Sequence, residues 1–228
     1  MNNKKYDEVV KKVSDKLELL TDKEVFEYKY GVKDKEVLLF AIGDGNHSLA
    51  TAKACYEKLK KKLPKEEYLK HPSRYVLVEL VNLHSEALQF EAIHRVLFNV
   101  DEKEFIKGLN NFYNINENGI GQKITLVTNK EEKTYYIENP KSYVAVGSIQ
   151  LFLDKYLKDH DTRIDYIHGE DTVRKLVNNT NNIGIILDPM RKEDLFKTVI
   201  LNGPLPRKSF SMGNSDDKRF YLESRKIK

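Results

Sequence analysis

The sequence predicts a mixed α+β fold, an α/β arrangement with a mixed sheet and flanking helices, and not a regularly alternating doubly wound one. Three observations lead there. Helically spaced apolar stripes and short strand-like runs follow one another irregularly along the 228 residues. Ile124–Thr128 and Thr134–Ile137 are two strand-like runs around Asn129-Lys130-Glu131-Glu132, which reads as a β-hairpin. Val37–Ile42 and Ile183–Leu187 are apolar throughout, as strands covered on both faces are.

In chain order, Tyr6–Leu20 is expected to be an amphipathic helix, with Val9, Val10, Val13, Leu17 and Leu20 at helical spacing. Thr21-Asp22 starts a second helix, which Tyr28-Lys29-Tyr30-Gly31 closes. Val37–Ile42 reads as a central strand. After the turn that follows it, Leu49, Ala52, Tyr56, Leu59 and Leu63 form one helix face, ending before Pro64. A short helical piece around Lys65–Lys70 leads to His71-Pro72. Arg74–Leu83 reads as a strong strand, and Leu88–Ile93 as its neighbour. Asp101, with Glu104 three residues on, gives a capping-box-like start to a helix whose apolar face is Phe105, Ile106 and Leu109. The hairpin follows a Gly/Asn-rich loop, Asn114–Gly121. Val146, Ile149, Phe152, Leu153, Tyr156 and Leu157 then mark a helix, Ile164–His168 a short strand, and Glu170–Val177 a helix. Ile183–Leu187 is a buried strand, Leu195–Leu201 a helix, and Phe220–Ile227 a terminal strand with alternating pattern. The chain reads as one domain, 1–228, with two lobes on either side of the Gly/Asn loop: 1–113 and 122–228.

Composition narrows the class. The apolar content is enough for a core, and no long apolar run suggests a membrane span. Cys55 is the one cysteine, so no internal disulfide can form and a reducing, cytoplasmic setting fits. Net charge is only +4, and the densest basic cluster, Lys58-Leu59-Lys60-Lys61-Lys62, is expected to be a solvated helix end. Nucleic-acid binding calls for a stronger patch.

The stretch Gly43-Asp44-Gly45-Asn46-His47-Ser48 joins an apolar run to a helix start. Glycines tolerate positive φ, and free N–H groups at a helix start suit an anion. Asp44 could be a general base, a metal ligand or a cap; His47 could shuttle a proton or meet a phosphate. The bland alternative is a tight capped turn. His94-Arg95 pairs an imidazole with a planar fork of donors suited to phosphate or carboxylate, or is a surface ion pair. Arg207-Lys208-Ser209, stiffened by Pro204 and Pro206, suits an anion or is a solvated basic loop. His84 and His168 lie in reach of such a site only as supporting groups. No histidine shows zinc-ligand spacing, and no P-loop, nucleophile-elbow or Rossmann motif occurs, so no protein-built metal cluster is expected. Cys55 reads as an inert helix residue.

These stretches together resemble a known family. Ala41–Ser48 resembles the A-D-G-H-H-R signature of the bacterial and archaeal domain of unknown function 1015. Ala92–Leu97 resembles its P-T-H-R-V segment, Pro204–Phe210 its P-x-K-S-T segment, and Tyr166-Ile167-His168 its Y-x-H-like strand. The likeness runs from about Phe40 to Ile227. It implies a ParB/sulfiredoxin-like strand-turn-helix core in which the turn holds nucleotide phosphates, and kinship to free-serine kinases that use ADP or ATP. It also implies that full-length members extend further at the N-terminus than this chain. Asn46 stands where the family often has His, and Ser48 where it has Arg, which removes one strong phosphate donor.

The resemblance implies a nucleotide-dependent phosphotransferase. Asp44 and His47 would be catalytic, with Mg²⁺ reaching the site through Asp44. Gly43, Gly45, Asn46, Ser48, His94, Arg95, Arg207, Lys208 and Ser209 would bind phosphate, and His84 and His168 would support them. ATP or ADP with Mg²⁺ would be the cofactor, and a small-molecule phosphate acceptor the partner. A homo-oligomer is compatible with the sequence. The alternatives are a non-catalytic nucleotide- or anion-binding module and a ParB-like nucleic-acid-associated protein.

Overall fold

The computed structural model describes residues 3–179 and 181–213. Among them it shows a mixed α+β fold of eight α-helices and a seven-stranded, largely antiparallel sheet. The chain divides into two units, described one at a time. One comprises Met1–Leu39 and Phe90–Ser211; the other comprises Phe40–Gln89 with Met212–Lys228, of which the description ends at residue 213.

The first unit carries the sheet and its core. Helix α1 (Asn3–Leu19) is followed by α2 (Lys23–Tyr30). Asp22 caps α2 by accepting from Val25 N–H at 2.9 Å, and Gly31 closes it in the left-handed region at φ 60°. Phe26 is buried, and Tyr30 stacks on Phe196. Strand β1 (Phe90–Phe98) leads to α5 (Glu102–Tyr113), where Asp101 accepts from Glu104 N–H at 2.8 Å, the cap its spacing predicted. Then come β2 (Ile115–Asn116), β3 (Gln122–Val127), β4 (Glu132–Ile137) and α6 (Ala145–Asp159). Next are β5 (Arg163–His168), α7 (Glu170–Leu176), β6 (Asn182–Ile186), α8 (Lys192–Asn202) and β7 (Phe210–Met212).

The strand order is β2-β4-β3-β6-β1-β5, and β7 also pairs with β1. The β3–β4 hairpin forms as expected, Thr125 facing Thr134 and Val127 facing Glu132. β6 is central, with β3 and β1 antiparallel on its two sides. Val96, Val127 and Ile186 are buried against Val173 and Val177, those of α7 and its C-cap. Gly184 lets that helix come close, for a Cβ there would lie 2.4 Å from Val173 Cγ1. An aromatic group of Phe105, Phe152 and Tyr156 ties α5 to α6 with centroids 5.3–5.6 Å apart.

Three expected strands need correction. Among the described residues Val37–Ile42 pairs into no strand, and Phe40 and Ile42 are 53% and 56% exposed. The central all-apolar position of the sheet is held by β6. Among the described residues the strand-turn-helix core implied for the turn shows its turn and helix and not the strand. Nor does Arg74–Leu83 pair into a strand among the described residues; Pro72–Arg74 is a 3₁₀ turn, and Val76 to Val81 stay exposed. Its expected neighbour moves to Phe90–Phe98 and is flanked by β5 and β6. These runs find no ladder partner among the described residues, and without one a strand cannot satisfy its backbone groups. The expected strand Phe220–Ile227 lies outside the described residues. The Gly/Asn loop Asn114–Gly121 falls inside the first unit, since β2 and β3 both pair with β4.

In the second unit, α3 (Asn46–Lys60) and α4 (Lys65–Tyr68) follow the motif turn. Tyr56 Oη donates to the Tyr68 carbonyl at 3.0 Å and joins them. No residue from 40 to 89 is buried. Among the described residues, no helix is long and apolar enough to cross a membrane.

Candidate functional site

The first locus is the turn that opens α3. Gly45 is the N-cap at φ 77°, ψ 15°, a left-handed conformation that glycine adopts without a Cβ penalty. Leu49 N–H donates to the Gly45 carbonyl at 2.9 Å and closes the first turn. Among the described residues no side chain caps the helix, and no acidic residue lies in its first turn. The first-turn N–H groups lie at the positive end of a 15-residue helix. Asn46, His47 and Ser48 surround them, all exposed. Asp44 Oδ1 accepts from Gly45 N–H at 2.8 Å and shapes the turn. At Gly43 a Cβ would lie 3.0 Å from the Met212 sulfur, so the chain passes closely there.

The second locus lies in the first unit. The sequence places His94-Arg95 after a strand; both are inside β1. Arg95 is opposite Tyr166 of β5 and Ile185 of β6. His94 is buried, its Nδ1 accepting from Leu187 N–H at 3.3 Å. Burial lowers its pKa below the usual histidine value, nearby Arg95 and His168 add to that, and Glu170 opposes it. Arg95 is fully buried, and desolvation pulls its pKa down to about 10. Its Nη1 donates to the Ile93 carbonyl and its Nη2 to the Lys208 carbonyl at 3.1 Å. Nε and Nη2 both reach Gln150 Oε1 at 3.4 Å. Gln150 in turn donates to Asp154 Oδ1 at 2.8 Å, which relays a negative charge toward the guanidinium.

Tyr166 connects Arg95 to the basic loop. The Arg95 guanidinium lies 5.3 Å from its ring centroid, and that of Arg207 5.6 Å. Arg207 Nε donates to Tyr166 Oη at 3.3 Å. Ser209 is buried and turns the loop by donating to the Pro206 carbonyl at 2.6 Å. Lys208 sits at φ 58°, and its side chain, like that of Arg207, is exposed. The fold thus brings His94, Arg95, Arg207, Lys208 and Ser209 into one neighbourhood. His168 faces Ile93 across β1 and β5. His84, like Asp44 and His47, belongs to the other unit.

Beside this neighbourhood a cleft of about 230 Å³ is lined by Ile93, Gln122, Lys123, Ala145, Arg191 and Ser209, among others. Its charges are paired, Lys123 with Asp188 at 3.0 Å and Arg191 with Asp194 at 2.8 Å. Gln122 Oε1 is buried there without a partner. Among the described residues, no three His, Cys, Asp or Glu side chains are grouped to hold a metal ion. Sequence reasoning missed Gln150, inside a helix stripe, and gave Tyr166 no role. Only the strand pairing of Tyr166 with Arg95 reveals the connection.

A family profile described as "Protein of unknown function (DUF1015)" matches residues 2–158, a range that includes the turn and His94-Arg95. Among solved structures, the chain is similar to a conserved hypothetical protein from Pyrococcus furiosus, with 12% identity and a TM-score of 0.45. That match covers 58% of this chain and 59% of the other. No curated protein matches.

Proposed function

The chain belongs to the DUF1015 family, and we propose that it is a nucleotide-dependent phosphotransferase of the small-molecule kinase kind, holding phosphate at the Gly43–Ser48 turn. The observation that carries this reading is the left-handed Gly45 opening a helix that no described side chain caps and that has no acidic residue in its first turn. That arrangement fits a phosphate. The N–H groups need an acceptor, the helix end is positive, and the turn is open, with nothing within 4 Å of a Cβ at Gly45. His47 is the group to contact the transferred phosphate. Asp44, with Oδ1 engaged, has Oδ2 for a base role or for Mg²⁺. A nucleoside triphosphate with Mg²⁺ would bring the transferable phosphoryl group; the protein's part is positioning and charge stabilisation. Arg207 and Lys208 form a second, exposed cationic locus. His94 and Arg95 serve inside the fold, because both are buried, His94 Nδ1 is engaged with Leu187 N–H, and the Arg95 nitrogens are bonded there.

Calorimetry with ADP, ATP and Mg²⁺, together with a phosphate-transfer assay, tests the reading. Binding is expected, and Asp44→Asn should stop turnover while changing ADP affinity less than threefold. No heat with any nucleotide overturns it. The Asp44–Gly45 bond favours a second reading, an anion-binding module in which Asp44 only shapes the turn. Binding without turnover would select that one.

A further inference from the structure

We infer that Arg95 is a positioning residue, a buried peg that holds the basic loop Pro204–Phe210 in the shape that presents Arg207 and Lys208. Its connection to function rests on the reading above, in which Arg207 and Lys208 form an exposed cationic locus suited to an anion. Arg95 is fully buried, and no salt bridge to it occurs among the described residues. Such a group persists only where donors meet acceptors. Here all three nitrogens are used, on the carbonyls of Ile93 and Lys208 and on Gln150 Oε1. Two of these acceptors are close to its own strand or on the helix behind it. The third is 113 residues away and belongs to the loop.

That third acceptor is on a special residue. Lys208 is a non-glycine residue at φ 58°, a conformation that costs such a residue free energy and needs outside support. The Arg95 Nη2–Lys208 carbonyl bond supplies it, and two further contacts converge. The Tyr166 ring underlies both Arg95 and Arg207, and Ser209 closes the turn on Pro206. Lysine in place of Arg95 would keep the charge, but it lacks the planar fork that reaches Gln150, Ile93 and Lys208 together.

Hydrogen exchange read by mass spectrometry on the full chain tests this. Arg95→Lys should speed exchange of the 207–210 amides at least tenfold, while those of β3, β4 and β6 keep their rates. Adding Lys208→Gly, which removes the left-handed penalty, should recover about fivefold of that loss. Unchanged 207–210 exchange in Arg95→Lys overturns the proposal, as does a rise spread evenly over the sheet. If Arg95→Lys does not fold, the wild-type chain decides by NMR. Slowly exchanging Arg95 guanidinium protons with cross-peaks to the Ser209 amide support the peg, and their absence overturns it. Titration with inorganic pyrophosphate separates the two readings. If Arg207→Ala and Lys208→Ala bind it as wild type does, the anion-facing reading of the loop fails and the peg stands.

Discussion

The two motif-bearing regions use similar residues in opposite surroundings. In the sheet-bearing unit, His94 and Arg95 lie within β1, and Val96 and Leu97 after them and Ile185 opposite Arg95 are wholly buried. In residues 40–89 nothing is buried, and Asp44, His47 and the cations of α3 lie at the surface. Burial spends polar atoms on structure, whereas exposure leaves them for a ligand. The contrast places the side chains of the H-R motif inside the fold and those of the G-D-G-N-H turn at the surface.

Core truncation should give the largest difference between the regions. Phe105→Ala, in the aromatic group between α5 and α6, is expected to cost about 3–5 kcal/mol. Leu77→Ala, at a side chain 77% exposed, should stay within about 0.5 kcal/mol. Denaturant titration of both variants checks this, and comparable losses would erase the contrast. Next is Gly184→Ala. The added Cβ would meet Val173 at 2.4 Å, so α7 must shift, at about 1–3 kcal/mol. Gly45→Ala tests the turn. Nothing obstructs the side chain, so only the backbone penalty at φ 77° remains, about 1–2 kcal/mol. Its effect should be loss of anion affinity at little expense to the melting temperature of the sheet.

Much of the fold was legible because local signals and packing agree. Asp101 and Glu104 predict the α5 cap, the Asn129–Glu132 turn predicts the hairpin, and the stripe from Val146 to Leu157 predicts α6. The runs Val37–Ile42 and Arg74–Leu83 misled because apolar content registers a preference for burial, while a strand also needs a laddered neighbour. β1 already has β5 and β6 at its sides. At the site, the turn was readable from its glycines. The Arg95–Tyr166–Lys208 connection was not, since it depends on β1–β5 register and on a backbone carbonyl, which any residue type carries.

The smallest effect sets one histidine of the sheet-bearing unit against another. His94 is buried, and its pKa is lowered first by desolvation. The unfolded chain therefore binds a proton that the folded chain refuses. Stability from this group is complete above the unfolded value near 6.5 and is lost as pH falls from there through the lower folded value. His160 behaves in the reverse way. It stacks on Tyr156, and its Nδ1 lies 2.8 Å from the Tyr156 carbonyl at the end of α6. That bond, followed by the Glu104 carboxylate at 3.3 Å, raises its pKa. Its contribution is complete below about 6.5 and fades as pH rises through the raised folded value. Melting curves from pH 5 to 8 should then show His94→Gln flattening the acid limb and His160→Gln flattening the alkaline limb. If both substitutions flatten the same limb, burial is not what separates the two histidines, and the surroundings assigned to His94 are wrong.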